Sequence, residues 1–210
     1  PLYKYYFHED NTAYGEKNEK IQELTHHLHD TYIQQMVEKW CDETGNLKVD
    51  LCSCNNKPEG YIGIDKRKLN EEDIEFDLDQ PNWPIESESV GVFRCQDALE
   101  HLKDPINAMK EIYKALVPFG WALIEVPSTD GRGAFQDPTH VSFWNSNSFW
   151  YYTRAQQAHF IGSPVKFQLN RILDYYPSEW HEFHNIKYTK AHLVKIPWDY
   201  NQIPVNGRQI

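Results

Sequence analysis

Apolar positions along this chain follow two rhythms. From Lys17 to Cys41 they recur every three or four residues, at Ile21, Leu24, Leu28, Tyr32, Ile33, Met36 and Trp40, which predicts one long amphipathic helix. Five short apolar runs follow, LKVDL (47–51), YIGID (61–65), IEFDL (74–78), VGVFRC (90–95) and WALIEV (121–126), each of strand length. Before the fifth run, PINAMKEIYKALV (105–117) returns to helical spacing, with Pro105 suited to its first turn and Pro118-Phe119-Gly120 to its stop.

Strands alternating with helical segments predict a parallel α/β sheet. Only nine residues separate Leu51 from Tyr61, whereas a parallel crossover normally takes about a dozen or more. A bare loop is therefore expected there, with the N-terminal helix covering the sheet face left open. Residues 1–16 show no periodicity and read as an arm. After residue 127, PSTDGRGAFQDPTHVSFWNSNSFWYYT suits a lid on the substrate side, and PVKFQLNRILDYYP and HNIKYTKAHLVKIP predict two late strands paired antiparallel at one sheet edge.

In open sheets of this kind ligands sit beyond the carboxyl ends of the strands. Here those ends carry Asp50 to Cys54, Asp65, Asp77, Gln96 to His101 and the segment after Val126. At 210 residues the chain has room for one domain with a core. Its 31 acidic against 21 basic residues, a net charge of -10, argue against a dedicated nucleic-acid binder, which needs a basic surface. No window reaches transmembrane length and no leader opens the chain, and Pro1 in first place suggests a trimmed N-terminus. Four cysteines make no disulfide framework and fit a reducing cytoplasm.

The ordered set of acidic strand ends, then ALEHLKDP, ALVPFGWALIEVP and FQDPTHVSFW, resembles a class I S-adenosylmethionine-dependent methyltransferase, of the bacterial and viral sort whose first loop reads D-L-G-C-G-x-N-K. The resemblance covers residues 47–155. It implies a Rossmann-like, mostly parallel seven-stranded sheet in a single domain. Residues 1–45 would form an arm and helix, 46–127 the cofactor-binding half, and 128–210 the lid and closing strands. It also implies S-adenosylmethionine as cofactor. Asp50 would open the cofactor loop, with Cys52 and Cys54 standing where the family has its two glycines and Ser53 between them. Asp65 would accept from both ribose hydroxyls, Asp77 and Leu78 would lie beside the adenine, and Gln96 and Asp97 next to the transferring methyl.

Each position also has a plain structural reading: an Asp at a strand end is often a cap or a solvated loop residue, and Glu100-His101 suits local capping or packing as well as a site. Cysteine in a glycine conformation would cost about 1–3 kcal/mol, so the loop is either a divergent cofactor loop or a decayed one. Zinc held by Cys52, Cys54, Cys41 and Cys95 with a histidine is a further alternative, although Cys-x-Cys lacks the usual two-residue spacer. His26, His29 and Asp30 in HHLHD could share a helix face, with no matching cluster elsewhere.

In AFQDPTHVSFW (134–144), Asp137 and His140 lie three apart on a turn built by Pro138. A histidine oriented by a carboxylate would serve as base for an oxygen nucleophile; the alternative is that the pair pins the lid. Phe143, Trp144, Phe149, Trp150 and Tyr151 would then be pocket walls. The reading is a cytoplasmic methyltransferase of a small or medium polar acceptor, at oxygen, with no membrane or nucleic-acid partner. A non-catalytic scaffold of the same fold remains the alternative. A nucleic-acid enzyme would need a basic channel, and no Asn-Pro-Pro-Tyr-type segment is present.

Overall fold

A computed structural model describes residues 16–199, with side chains from Leu28 onward; the arm and His26 lie outside this. The described chain falls into two units, one ending at Val37 and the other beginning at Glu38. Helix α1 (Glu16–Thr44) appears where its spacing predicted. Ile33, Val37 and Cys41 are buried, while Leu28, Tyr32 and Met36 are exposed. The sequence carries two apolar stripes one residue apart, and the slimmer one is buried. The last turns of α1 lie so close to Gly91 that a Cβ there would fall 2.5 Å from Cys41 Sγ.

The second unit is a seven-stranded sheet of order β3-β2-β1-β4-β5-β7-β6. Its strands are β1 (Leu47–Leu51), β2 (Ile62–Asp65), β3 (Ile74–Glu75), β4 (Val90–Gln96), β5 (Leu116–Pro127), β6 (Phe167–Tyr175) and β7 (Tyr188–Lys195). β1, β2, β3, β4 and β5 pair parallel. β7 pairs antiparallel with both β5 and β6, so the late pair closes the edge as expected. This is a Rossmann-like, mostly parallel seven-stranded sheet. Among the described residues no helix lies between β1 and β2, β2 and β3, or β3 and β4. The bare loop after Leu51 is thus the first of three.

Helix α2 (Pro105–Ala115) has Pro105 in its first turn, and the Asp104 carboxylate accepts from Asn107 N at 2.9 Å. It buries Ala108, Met109, Ile112 and Tyr113. It ends two residues before the expected stop, because Pro118 disfavours helical backbone at Val117 and Leu116 already starts β5. Pro118-Phe119-Gly120 is therefore not a terminator but a bulge inside a strand, with Phe119 at φ 63°. β3 is also shorter than IEFDL. Phe76 N still reaches Asp65 O at 2.8 Å, after which Asp77 to Gln80 turn away.

Along β1, β4 and β5, Val49, Leu51, Phe93, Cys95, Ala122, Ile124 and Val126 all enter the core. The alternate positions Asp50, Arg94, Gln96 and Glu125 form a polar row on the opposite face. The segment after Pro127 packs against the core: Ser128 bridges to Trp144, and Trp144 and Phe149 are core residues. Phe143 and Tyr151 are exposed, and the Arg154 guanidinium covers the Trp150 ring at 4.0 Å.

Candidate functional site

The loop after β1 keeps a glycine backbone without glycine. Cys52 and Cys54 stand at φ 52° and 40°, the left-handed region that disfavours side chains. Cys52 N donates to Ile64 O at 2.8 Å and Asn56 N to Ser53 O at 3.0 Å, which pins the turn to β2. Ser53 is buried over Gly63, where a Cβ would collide with its hydroxyl and with the Asp73 carboxylate.

Burial pushes the Cys52 thiol up to about 12. Cys54 is exposed, and its thiol is also raised, by desolvation and by the neighbouring Asp65 carboxylate. Asp65, at the end of β2, accepts from Cys54 N at 3.3 Å, from Cys54 Sγ at 3.5 Å and from Arg67 N at 3.1 Å. Cys41 and Cys95 are buried, and among the described residues no metal-competent cluster contains a cysteine. The four-thiol zinc arrangement is not formed.

Asp50 is fully buried, and both its oxygens accept from Arg94 Nη1, at 3.0 and 2.9 Å. Burial outweighs the guanidinium and lifts its carboxyl to about 6. Asp50 thus already has a cationic partner on the adjacent strand, Arg94. Arg94 also donates to Gln96 Oε1, Gln96 lies 3.5 Å from Glu125, and Glu125 pairs with Lys190 at 3.2 Å. Asp77 accepts from Asp79 N at 3.1 Å and pairs with Lys66 at 3.2 Å, which holds its carboxyl below the usual range. The Leu78 side chain is core, and its carbonyl accepts from Trp83 Nε1 at 3.1 Å.

A cavity of about 210 Å³ opens where β4 and β5 end, and it brings together Asp97, Glu100, His101, Asp137, His140 and Tyr188. Asp97 sits at φ 48° with its N–H on Glu125 O at 3.0 Å. Desolvation raises its carboxyl, against a hydrogen bond from the Tyr188 hydroxyl. Glu100, in the 3-10 turn Leu99–His101, is 2 % exposed, and neither carboxyl oxygen has a hydrogen-bond partner. Burial pushes it up to about 8, with the Asp97 and Asp137 charges adding.

His140 is tied to that turn through its neighbours: Val141 N and Ser142 N both donate to Glu100 O, at 2.8 and 3.0 Å. The expected pairing of Asp137 with the His140 ring does not form. The Asp137 carboxylate accepts from Thr139 N and Oγ1, at 2.7 and 2.6 Å, which holds it below the usual range. The His140 ring instead meets Ala134 O through Nδ1, at 3.0 Å. A carbonyl only accepts, so Nδ1 carries a proton and donates it to this bond. His101 repeats the arrangement, with Nδ1 3.3 Å from Thr139 O, and the two rings lie 4.9 Å apart, edge to face.

Sequence reasoning had left Glu100 and His101 between packing and function, and did not reach Arg94 or Tyr188. Arg94 had a signal: a charged residue interrupts both LKVDL and VGVFRC. Tyr188 had none, because its place follows from antiparallel pairing across 61 residues, with Pro127 opposite.

Residues 50–124 match the family model of a methyltransferase domain. No curated protein matches the chain. Among solved structures, it is similar to a chain of the complex between a Haloferax volcanii methyltransferase activator and a protein described as a methyltransferase. There the identity is 12%, with 75% of this chain and 85% of that chain covered and a TM-score of 0.53. It is also similar to 1,6-didemethyltoxoflavin-N1-methyltransferase of Burkholderia thailandensis, solved with its substrate and S-adenosylhomocysteine (12% identity, 85% and 87% covered, TM-score 0.50). The [4+2]-cyclase SpnF shares the fold as well (12% identity, 77% and 80% covered, TM-score 0.52).

Proposed function

We propose that this chain, whose methyltransferase domain lies in the class I fold, binds S-adenosylmethionine along the ends of β1, β2 and β4 and methylates a small or medium polar acceptor at oxygen. One observation carries the reading. The loop at Cys52 to Cys54 keeps the left-handed backbone that lets a cofactor approach, beside a cavity lined by His101 and His140 at the end of β4.

Asp65 would receive the ribose hydroxyls: Oδ1 accepts only from Arg67 N and keeps a second lone pair, and on Oδ2 a hydroxyl would displace the weak thiol contact of Cys54. Backbone groups of Cys52, Ser53 and Cys54 would hold the methionine portion, with Arg94, anchored on Asp50, offering its remaining N–H groups to a carboxylate. Asp77 and Leu78 would flank the base, and Gln96 the reacting end. The cofactor, when bound, supplies an electrophilic methyl group on a sulfonium. The chain's own task is then orientation and proton removal. His140 Nε2 is the free base of the cavity, Asp97 orients the acceptor hydroxyl, and Asp137 keeps the His140 turn closed through Thr139.

The acidic balance of the chain and the size of the cavity favour a small-molecule acceptor over nucleic acid. No described helix is long and apolar enough to cross a membrane, in keeping with a cytoplasmic enzyme. A non-catalytic scaffold is favoured by a different observation, the occupation of Asp50 by Arg94. Isothermal titration with S-adenosylmethionine and S-adenosylhomocysteine separates the two. The enzyme reading expects micromolar binding, about -8 kcal/mol, lost in Asp65→Ala. Absence of heat at millimolar ligand would leave the scaffold.

A further inference from the structure

We propose that Glu100, His101 and His140 form a binding site for one divalent transition ion, at the acceptor end of the cavity.

One ligand atom from each residue lies within 4.8 Å of the others. Ligands about 2.1 Å from a shared ion sit roughly 3–3.4 Å apart, so small side-chain adjustments close the set. Glu100 is the independent sign that something is bound there: a carboxyl at 2 % exposure with both oxygens unpartnered is rare and costly, and an ion would satisfy it. Both imidazoles are already oriented as ligands. Each Nδ1 faces a backbone carbonyl, Thr139 O for His101 and Ala134 O for His140, which is the outer bond that metal-bound histidines usually make and leaves Nε2 for the ion.

The two ligand-bearing segments are clamped to each other. Val141 N and Ser142 N hold Glu100 O, and Ser142 Oγ donates to Leu99 O at 2.7 Å. Three acidic side chains line the cavity and no lysine or arginine does, so no fixed positive charge opposes a cation. Two nitrogen ligands and one oxygen select the zinc, cobalt(II), manganese(II) or iron(II) class over magnesium or calcium.

Binding of the ion stands on these residues alone. Its role rests on the proposed function. With the lone pairs of His101 and His140 engaged, an acceptor oxygen would take an open position on the ion and release its proton to water at a lower pH. His140 then acts as ligand in place of base, and a hydroxyl-bearing acceptor becomes the preferred class.

The test is calorimetric titration of metal-free full-length protein with zinc chloride and cobalt(II) chloride, with magnesium chloride as control. The proposal expects one site per chain, at about 10 µM or tighter, weakened at least about tenfold in Glu100→Gln and in His140→Ala. It should persist in the Cys52→Ser/Cys54→Ser double variant. Thermal unfolding of each variant without metal certifies the fold, and Glu100→Gln keeps the shape if His140→Ala does not. No binding, or binding lost with the cysteines but kept without Glu100, overturns the site. S-adenosylhomocysteine titration in the presence of chelator is read separately, so failure of the cofactor site and failure of the metal site remain distinguishable.

Discussion

Replacing Cys54 by glycine should stabilise the protein, although it deletes a side chain. Cys54 holds φ 40°, and a left-handed L-residue costs about 1–2 kcal/mol. Its exposed thiol gives back one contact of 3.5 Å to Asp65, worth a few tenths of a kcal/mol as a weak sulfur hydrogen bond. Glycine removes the strain but adds about 0.5–1 kcal/mol of unfolded-chain entropy, leaving a net gain of a few tenths of a kcal/mol, about 0.2–0.7. Cys54→Ala isolates the cause, since it loses the thiol and keeps the strain. The glycine variant should exceed the alanine variant by about 1 kcal/mol, or roughly 2–4 °C in Tm for a chain of this size. Urea unfolding of the three proteins, compared at equal m-value, measures it. A glycine variant no more stable than the alanine variant would refute the claim that this backbone is strained. Freed of the thiol, Asp65 should also bind S-adenosylhomocysteine several-fold more tightly.

Four further outcomes follow from the site. Asp50 has a folded-state pKa near 6 against 3.8 for the free side chain. Its contribution to stability is therefore present below about 3.8 and lost as pH rises through 6, and Asp50→Asn should flatten the fall in unfolding free energy between those values. Arg94→Met, which leaves Asp50 buried and unpaired, should cost about 3–5 kcal/mol at pH 8 and less at pH 4, by urea unfolding at each pH. Gly63→Ala, by forcing a Cβ against Ser53 and Asp73, should destabilise by about 1–3 kcal/mol, with cofactor binding reduced in the same titration. Tyr188→Phe removes a donor that favours ionised Asp97, and so should move the acid limb of the pH–rate profile upward with the circular dichroism spectrum unchanged.

The strands were legible because each has a core-facing row. Val49 and Leu51, Phe93 and Cys95, and Ala122 and Ile124 alternate with polar positions or fill short apolar runs. The N-terminal helix was legible as a helix but not in its buried face, since periodicity cannot choose between Leu28-Tyr32-Met36 and Ile33-Val37-Cys41 when both stripes are apolar. The same local reading took Pro118-Phe119-Gly120 for a terminator, because a bulge is defined by its partner strand and not by its own residues. For the candidate site, sequence order puts Asp97 at the end of the fourth strand and Asp137 and His140 near the end of the fifth, and all three line one cavity. What each side chain bonds was beyond it. Thr139 competes for Asp137, Ala134 O takes the His140 proton, and Arg94 claims Asp50, all through contacts set by the fold.

The bulge in β5 also bears on where this chain can change length. Val90 of β4 pairs with Leu116 and Val92 with Trp121, so one residue of β4 is spanned by four of β5. Beyond it the alternation runs with Ala122, Ile124 and Val126 inward and Glu125 outward. Side chains in a strand repeat with period two, so adding or removing one residue between Val117 and Gly120 would exchange those sets or break the pairing with both β4 and β7. The Pro-Phe-Gly segment, which looks like an ordinary surface turn, is thus a poor place for an insertion. A tag or linker placed there would shift the frame of the strand that delivers Glu125 to Asp97.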